Sequence, residues 1–498
     1  MTFEDVVKGR LKKLEDLRSA GINPYPYKYE PKDLAGELTK NYSGLSSGED
    51  SDYKAKVAGR IMTYRPMGKV SFMTLDDISG RIQLFLKENN INKEQYGLLK
   101  KLDLGDIVGA EGKVFKTKAG EITIKVEDYT LLTKAIRPLP EKYHGLKDME
   151  ARYRQRYLDL IMNPESRDVF IKRSKAITAM REFLDGNGFM EVEIPTLQPV
   201  YGGASARPFK THLNAQDRDL FLSISPELYL KRLLVGGFPR VYTICKNFRN
   251  EGIDRTHNPE FTMMECYQAY ADYNDMMELT ENMYAHIFQK VNGTTKVNVG
   301  EKESKFGSVE INVAPPWRRA KMCEIIKEKT EVDAEDRDAD KIREQAREKG
   351  LLKEDFYNQW TKGEVVLALF EQYCQDSLIQ PTFVIDHPIE STPLCKPHRV
   401  HPWLIERFEP FIYGMEIGNA YSELNDPLLQ RKLLEDQGKQ RNSEEAHQMD
   451  EDFCTAIDHG MPPTGGLGIG IDRLVMLATG TTSIRDVILF PFMKEELK

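Results

Sequence analysis

The stretch that decides the fold runs from Val241 to Tyr270 and reads VYTICKNFRNEGIDRTHNPEFTMMECYQAY. Its pattern predicts a strand that ends at Phe248-Arg249, a polar loop, and a second strand that begins at Phe261. Because successive side chains of a strand point to opposite faces, the second strand gathers four side chains on one face: Phe261, Met263, Glu265 and Tyr267. Arg249 suits phosphate or carboxylate oxygens, and Phe261 suits stacking on a base. The hairpin therefore indicates a binding site, with an ion-paired surface hairpin as the alternative.

A second stretch, Glu406–Leu424, reads ERFEPFIYGMEIGNAYSEL and carries Glu409 and Glu416 on either side of a predicted strand and turn. Carboxylates with room for water are the usual ligands of Mg²⁺ on nucleotide phosphates. Beyond the turn, one face collects three further polar side chains: Asn419, Tyr421 and Glu423. Glu416 falls on the opposite face unless a bulge near Gly418 resets the alternation. The pattern fits either a metal-binding pair or a salt-bridged strand.

A third stretch, Gly465–Gly480, reads GGLGIGIDRLVMLATG. Its glycines permit a close approach of the backbone, and Asp472-Arg473 open a predicted helix. The spacing is neither GxxxxGK[ST] nor that of a dinucleotide fingerprint. The glycines alone indicate tight packing as readily as phosphate binding, and Arg473 at the corner favours the second.

Upstream and downstream of these stretches the chain reads as α/β with an interruption. A helix face is predicted after Ser166, and alternation over Met190–Ile194 predicts a half-exposed strand. Residues from about 290 to 385 are rich in charged helical patterns such as Asp333–Lys349. We expect a helical insertion there, between two halves of one catalytic core.

In the N-terminal part, apolar and polar residues alternate with a different period. After a helix predicted over residues 4–19, five strands alternate with period two, and Lys93–Leu102 reads as a helix between the third and the fourth. The predicted strands are Lys56–Arg65, Val70–Asp76, Arg81–Leu86, Asp106–Lys116 and Glu121–Leu132. This order is typical of the five-stranded barrel that binds oligonucleotides, and an unrelated small β domain is the alternative.

Length and charge agree with a chain of more than one domain. The 498 residues have a net charge of −8. Residues 1–145 carry 25 Lys and Arg against 21 Asp and Glu, a net of +4, whereas the other 353 carry 45 against 57, a net of −12. Apolar runs are too short for a transmembrane helix, and no apolar leader follows the acidic N-terminus. The six cysteines are scattered without a CxxC pair, so we expect reduced thiols and a cytoplasmic location.

Together the stretches resemble the three signature motifs of class II aminoacyl-tRNA synthetases. GFMEVEIP at Gly188–Pro195 is similar to the first motif, FRNE at Phe248–Glu251 with HNPEF at His257–Phe261 to the second, and GIGIDR at Gly468–Arg473 to the third. Within that class, the strings GINPYP, SPELY, TMMECYQAY, GNAYSELNDP and IRDVILFP are similar to those of the lysyl-tRNA synthetases, in the same order.

The resemblance implies an α+β fold. Residues 1–145 would hold the N-terminal helix and an OB-fold anticodon-binding barrel. Residues 146–498 would hold the class II catalytic domain, an antiparallel sheet flanked by helices, with the helical insertion at about 290–385. The implied reaction joins L-lysine to ATP as an adenylate and then transfers the lysine to tRNA(Lys).

The resemblance also implies roles for individual residues. Arg249, His257 and Arg473 would be catalytic, and ATP would be bound by Arg249, Glu251, His257, Asn258, Phe261 and Arg473. Lysine would be bound by Gly203, Glu227, Arg249, Glu265, Tyr267, Asn419 and Glu423. Glu409 and Glu416 would hold Mg²⁺, and the anticodon would be read by Arg65, Phe72 and Gln83. The Arg167–Val200 segment corresponds to the motif that forms a homodimer in this family.

Three alternatives stay open at this point. A relative that attaches a lysine-type amino acid to a protein would lack the barrel predicted over residues 53–133. A synthetase for aspartate or asparagine is disfavoured by Glu423 and Tyr267, which suit an ammonium group. A non-catalytic homologue would be expected to lose the motif arginines or the metal carboxylates, which are all in place here.

Overall fold

The computed structural model describes residues 2–91, 93–140, 148–336, 338–354, 359–440 and 449–494. They fall into two compact units, Met1–Lys147 and Asp148–Lys498. The boundary predicted between residues 145 and 146 lies outside the described residues. No helix in the described ranges is long and apolar enough to cross a membrane.

The first unit contains a closed barrel of five strands in the order β1-β2-β3-β5-β4, which confirms the predicted fold. A helix lies between the third and fourth strands, as its pattern predicts. The elements are α1 (Phe3–Ser19), α2 (Ala35–Asn41), β1 (Asp50–Met67), β2 (Val70–Asp76), β3 (Arg81–Lys87), α3 (Lys93–Leu98), β4 (Ile107–Lys116) and β5 (Ile122–Thr133). Period-two alternation buries one face of each strand: Met73 and Leu75 of β2 and Leu84 of β3 are each 1% exposed.

A buried ion pair ties the end of the barrel together. Nζ of Lys134 lies 2.9 Å from Oδ2 of Asp106 and 2.5 Å from Oδ2 of Asp103. Neither the Lys134 nor the Asp106 side chain is exposed to solvent. A buried charge is tolerated only when it is paired, so these contacts fix the segment that follows β5 against the start of β4.

The second unit is built on a sheet of nine strands among the described residues. Its helices are α4 (Met149–Arg154), α5 (Arg156–Met162), α6 (Pro164–Gly186), α7 (Glu227–Val235), α8 (Tyr273–Asn292), α9 (Met322–Thr330), α10 (Ala339–Glu348), α11 (Lys362–Tyr373), α12 (Pro427–Gln440), α13 (Glu451–Asp458), α14 (Ile471–Thr479) and α15 (Ile484–Val487). Its strands are β6 (Met190–Glu191), β7 (Leu197–Gln198), β8 (Lys210–Leu213), β9 (Arg218–Leu222), β10 (Arg240–Phe248), β11 (Glu260–Ala269), β12 (Lys296–Val299), β13 (Val309–Asn312), β14 (Arg318–Lys321), β15 (Thr382–Pro388), β16 (Leu404–Ile412), β17 (Met415–Glu416), β18 (Gly418–Ser422) and β19 (Thr464–Gly470).

The main sheet has the order β14-β15-β16-β18-β19-β11-β10-β6, with β17 paired to β16. Its interior pairs are antiparallel, as predicted, but β14 with β15 and β10 with β6 pair in parallel at the two edges. The described residues also form a two-stranded sheet, β12-β13, and a three-stranded sheet, β7-β9-β8.

The predicted helical insertion over about 290–385 needs correction. The stretch does contain α9, α10 and α11, but it also contains the β12-β13 hairpin and two strands of the main sheet, β14 and β15. Parallel strands cannot be joined by a tight turn, so a crossover must connect β14 to β15, and the three helices lie within it. The segment therefore contributes two strands to the main sheet.

One face of the sheet is covered by α6, α8 and α14, and this packing determines which face is free. Met264 and Cys266 of β11 are fully buried in the apolar core that these helices share with the sheet. The alternating residues of β11 consequently point to the opposite face, where a cavity lies.

Replacing Lys134 by Met should destabilise the barrel strongly, because it leaves Asp106 buried and unpaired. We expect a loss of about 3–5 kcal/mol. Hydrogen exchange of buried barrel amides measures this, since it reports the opening of one unit in a two-unit chain. The matched control is Lys125→Met, whose partly exposed partner Asp50 lies 2.7 Å away, and for which we expect less than about 1 kcal/mol. Equal losses in the two variants would contradict the prediction.

Candidate active site

A cavity of about 460 Å³ opens on the free face of the catalytic sheet. Its walls are formed by α7, the loop around Gly203 and strands β11, β16, β18 and β19. All fourteen residues predicted for catalysis, ATP, lysine and metal line it: Gly203, Glu227, Arg249, Glu251, His257, Asn258, Phe261, Glu265, Tyr267, Glu409, Glu416, Asn419, Glu423 and Arg473. The three predicted anticodon residues belong to the barrel unit.

One end of the cavity carries cationic and aromatic groups. The guanidinium carbon of Arg249 lies 5.1 Å from the centre of the Phe261 ring, and its Nε is buried without a hydrogen-bond partner in the described structure. Nε2 of His257 lies 3.4 Å from Nη2 of Arg473. The guanidinium groups of Arg249 and Arg473 line the same cavity and suit the oxygens of an anionic ligand.

His257 is oriented by Asp254, whose Oδ2 lies 2.8 Å from Nδ1 of the ring. Partial burial acts to raise the pKa of Asp254, but hydrogen bonds from Thr256 and His257 outweigh it and lower the pKa to about 2. The carboxylate therefore stays ionised near neutral pH and holds the imidazole with Nε2 toward the cavity.

A second carboxylate, Asp472, aligns the strand that carries Phe261 with the helix that carries Arg473. Its Oδ2 accepts a hydrogen bond of 2.8 Å from the main-chain N–H of Thr262, and its Oδ1 accepts one of 2.6 Å from Arg173 on α6. Arg173 also donates to Oγ1 of Thr262 at 3.0 Å. Sequence reasoning missed Arg173, since no local pattern links it to Asp472.

One of the predicted ATP residues, Asn258, forms hydrogen bonds within the protein. The amide nitrogen of Asn258 donates to the main-chain oxygen of Glu260 at 2.6 Å, and its oxygen accepts from the N–H of Phe492 at 3.1 Å. Asn258 therefore shapes the loop, although it lines the cavity. Glu251 is exposed at the cavity wall.

The two predicted metal ligands, Glu409 and Glu416, lie on β16 and β17. Burial and the charge of Glu409 raise the pKa of Glu416, while Arg473, Arg407 and Arg249 oppose the rise. Glu409 forms an ion pair with Arg407, which sequence reasoning missed although it shares a strand face with Glu409. Like charges held together at a cavity wall fit a divalent cation whose other ligands are water or phosphate.

The break between β17 and β18 resolves the alternation problem noted in the sequence. β17 ends at Glu416, β18 begins at Gly418, and Glu416 then lines the same cavity as Asn419, Tyr421 and Glu423. Nε of Arg407 donates to Oδ1 of Asn419 at 3.0 Å, which fixes the amide between the two ends of the cavity.

The other end of the cavity is acidic. Glu227, Glu265 and Glu423 are at most 4% exposed. Glu265 accepts hydrogen bonds of 2.9 Å from Oγ of Ser225 and 3.0 Å from the hydroxyl of Tyr267.

Two of the acidic groups, Glu265 and Glu423, have raised pKa values. Burial and the charge of Glu227 raise the pKa of Glu265 to about 8. Burial also raises the pKa of Glu423 to about 8, although the neighbouring Lys231 lowers it. Oε2 of Glu423 forms an ion pair with Lys231 but has no partner in hydrogen-bond geometry. This end therefore suits a ligand that brings positive charge.

The glycines of β19 leave space for the acidic end. A Cβ on Gly466 would lie 2.0 Å from Oε1 of Glu423 and 2.6 Å from Cε1 of Tyr267. Leu467 and Ile469 alternate with the glycines and lie in the apolar core on the other face. The glycine pattern thus allows side chains, as well as backbone, to approach β19 closely.

On the barrel, the predicted anticodon residues lie near one another on the outer face. The rings of Phe72 and Phe85 are 5.2 Å apart, and those of Phe85 and Phe115 are 6.0 Å apart. Arg65 pairs with Phe72 across β1 and β2, and Nε2 of Gln83 donates to Oγ1 of Thr123 at 3.0 Å. Sequence reasoning missed Phe85 and Phe115, although their strand positions place them on this face.

The chain is similar to known proteins over nearly its whole length. Residues 148–494 match the family described as tRNA synthetases class II (D, K and N), and residues 55–132 match an OB-fold nucleic acid binding domain. A lysine–tRNA ligase of Carboxydothermus hydrogenoformans is 51% identical over 495 residues, which is 99% of this chain and 98% of the relative. Lysine–tRNA ligases of Clostridium novyi and Clostridium perfringens are each 51% identical, over 99% and 98% of this chain and 95% and 96% of their own lengths. This chain therefore belongs to the class II tRNA synthetases of the D, K and N type.

Proposed function

We propose that the chain acts as an ATP-dependent lysine–tRNA ligase. It activates L-lysine with ATP to lysyl-adenylate and pyrophosphate, and then transfers the lysine to the 3′ end of tRNA(Lys). The single observation that carries this proposal is one cavity with arginines at one end and three buried carboxylates at the other. The relatives that share half of its sequence and bear this activity in their names support it.

Adenylate formation needs positioning and charge stabilisation more than covalent help from the protein. Arg249 contacts the α-phosphate and the substrate carboxylate, which Asn419 also holds. His257 and Arg473 contact the outer phosphates, and adenine lies between Phe261 and Arg473. The unpartnered Nε of Arg249 is a donor available to such an anion.

Glu409 and Glu416 would hold Mg²⁺, which when bound neutralises charge on the pyrophosphate leaving group. The paired carboxylates and the raised pKa of Glu416 fit that role. Arg407 holds Glu409 in place through its ion pair.

The family includes enzymes for aspartate, lysine and asparagine, so the choice of amino acid rests on the acidic end of the cavity. Glu423 and the hydroxyl of Tyr267 receive the ε-ammonium, and Glu227 and Glu265 receive the α-amino group, beside the loop of Gly203. An uncharged side chain would leave Glu423 with Lys231 but without an ammonium group from the ligand, at a cost of about 1–3 kcal/mol or more. The carboxylate of aspartate would add repulsion to that cost.

The barrel reads the anticodon in this proposal. Bases of a single-stranded loop stack on aromatic rings, and Phe72, with Phe85 and Phe115 beside it, offers such a surface. Arg65 and Gln83 supply polar contacts. A C2 homodimer formed through Arg167–Val200 and a cytoplasmic location stay predictions.

The proposal is tested by exchange of pyrophosphate into ATP in the presence of single amino acids. Lysine should support exchange, whereas aspartate and asparagine should not, because they bring no ε-ammonium for Glu423. Charging of tRNA(Lys) transcripts with lysine completes the test. Exchange driven by aspartate or asparagine, with lysine inert, would refute the assignment.

Replacing Gly466 by Ala should weaken lysine binding selectively. The added methyl group would collide with Glu423 and Tyr267, so we expect the KM for lysine to rise about tenfold or more. The KM for ATP should change little, because the collision lies at the acidic end. The matched control is Gly9→Ala, where nothing lies within 4 Å of the added atom. A wild-type lysine KM in Gly466→Ala would contradict this geometry.

Replacing Phe72 by Ala should impair charging of tRNA and spare adenylate formation. Loss of one stacking surface is worth about 1–3 kcal/mol, or about 5- to 150-fold in kcat/KM for tRNA(Lys). Lysine-dependent exchange should stay at the wild-type level. Phe3→Ala serves as control, since Phe3 lies on α1 and not on the barrel strands. If Phe72→Ala charges tRNA normally, Phe72 does not read the anticodon.

A further inference from the structure

Lys231 is a fully buried lysine to which the proposed reaction gives no role. It lies on α7 four residues after Glu227, and none of its side chain is exposed. Its Nζ donates to Oε1 of Glu227 at 2.6 Å and forms an ion pair with Oε2 of Glu423. One ammonium group thus links two carboxylates that belong to different elements.

The net charge at this end of the cavity follows from the groups around Lys231. Three carboxylates, Glu227, Glu265 and Glu423, face a single internal ammonium. Among the described residues, the other titratable or charged groups that interact with these carboxylates are Tyr267, Tyr421, Cys245, Cys266, Cys395 and Arg249. Arg407 has Glu409 and Asn419 as its partners. Lys231 is the one cation of the described residues with an ion pair to Glu227 or Glu423.

We propose that Lys231 is a positioning and selectivity residue that supplies one fixed positive charge to a chamber of three carboxylates. When all three carboxyl groups are ionised, two negative charges are left for the ligand, and an incoming lysine carries two ammonium groups. Lys231 also holds Glu227, which faces the α-amino group, and Glu423, which faces the ε-ammonium, at a fixed spacing. This inference rests on the proposed function.

The charge of Lys231 is secure across the range in which the enzyme would work. Burial acts to lower its pKa, but the charges of Glu227 and Glu423 outweigh burial and hold the pKa above its ordinary value. In turn, Lys231 opposes the burial that raises the pKa of Glu423. Without Lys231 the chamber would take up a further proton at neutral pH. Lysine would then have to displace that proton to bind.

The test is Lys231→Met, which removes the charge and shortens the unbranched side chain by one atom. At pH 7 we expect the KM for lysine to rise about tenfold or more, since a shift of one pKa unit in a binding group is a factor of ten. A carboxyl group is neutral at a pH below its pKa and loses its proton as the pH rises. The increase in the KM for lysine should therefore become smaller between pH 6.5 and pH 8.5. Calorimetry in buffers of different ionisation enthalpy should show about one more proton released per bound lysine than in the wild type.

Competition by an uncharged analogue distinguishes a role of the Lys231 charge from a role of its packing. Norleucine has the carbon chain of lysine without the ε-ammonium, and it should compete better with lysine in Lys231→Met than in the wild type. Lys231→Gln, which retains an amide donor for Glu227, is the second variant if the methionine variant folds poorly. The matched control is Lys290→Met, which removes an exposed ion pair with Glu182 on the far side of the sheet and should leave all three readouts unchanged.

The outcomes distinguish this inference from the proposed function. If the wild type shows no lysine-dependent exchange, the proposed function fails. If the wild type is active and the Lys231 variants keep its proton release and pH dependence, Lys231 does not set the charge of the chamber. A loss of kcat and of thermal stability alone, with unchanged proton release, would likewise overturn the proposal, because it would mark a role in packing only.

Discussion

Buried charge has to be paired, and this constraint shapes both units of the chain. In the barrel, Lys134 pairs with Asp103 and Asp106 while Lys13 also pairs with Asp103, so two lysines match two aspartates within the protein. In the catalytic unit, three carboxylates face one internal lysine, and the pairing is incomplete. The first arrangement holds a fold together. The second leaves a deficit of positive charge, which a cationic ligand can fill in place of the protons that Glu265 and Glu423 hold.

The sheet can accommodate this deficit of positive charge because one of its faces is packed in an apolar core and the other lines the cavity. α6, α8 and α14 bury Met264 and Cys266 of β11 in an apolar core, which stabilises the sheet whether or not a ligand is bound. The odd-numbered side chains are then free to carry charge toward the cavity. β19 continues this division with glycine on one face and Leu467 and Ile469 on the other. Large side chains on both faces of β19 would fill the space that Glu423 and Tyr267 occupy.

Strand patterns allowed much of this to be predicted from the sequence, because a period of two is a local property. The alternation over Phe261–Tyr267 and the five barrel strands are confirmed for that reason. The supposed insertion was wrong in its extent because short edge strands such as Arg318–Lys321 leave no strong pattern, while charged helices do. Lys231 was missed because a lysine in a helix is usually exposed, and only the tertiary structure places it between Glu227 and Glu423. The roles of the site residues remain proposals, since they depend on ligands.

The strand β11 determines the distance between the two ends of the site. Phe261 and Tyr267 are six residues apart on β11, a span of about 20 Å at 3.3 Å per residue. In the proposed function Phe261 stacks on adenine and Tyr267 contacts the ε-ammonium. The strand β11 therefore fixes the distance between the groups that contact the two ends of lysyl-adenylate. Asp472 fixes the first end by bonding Thr262, and Glu265 lies near the second with Ser225 as its partner. Because β11 lies in the interior of the sheet, between β19 and β10, this spacing cannot change without breaking the ladder on both sides. If the site binds as proposed, the strand couples nucleotide and amino acid recognition through its fixed length, and the charges at its two ends determine the orientation of the substrate.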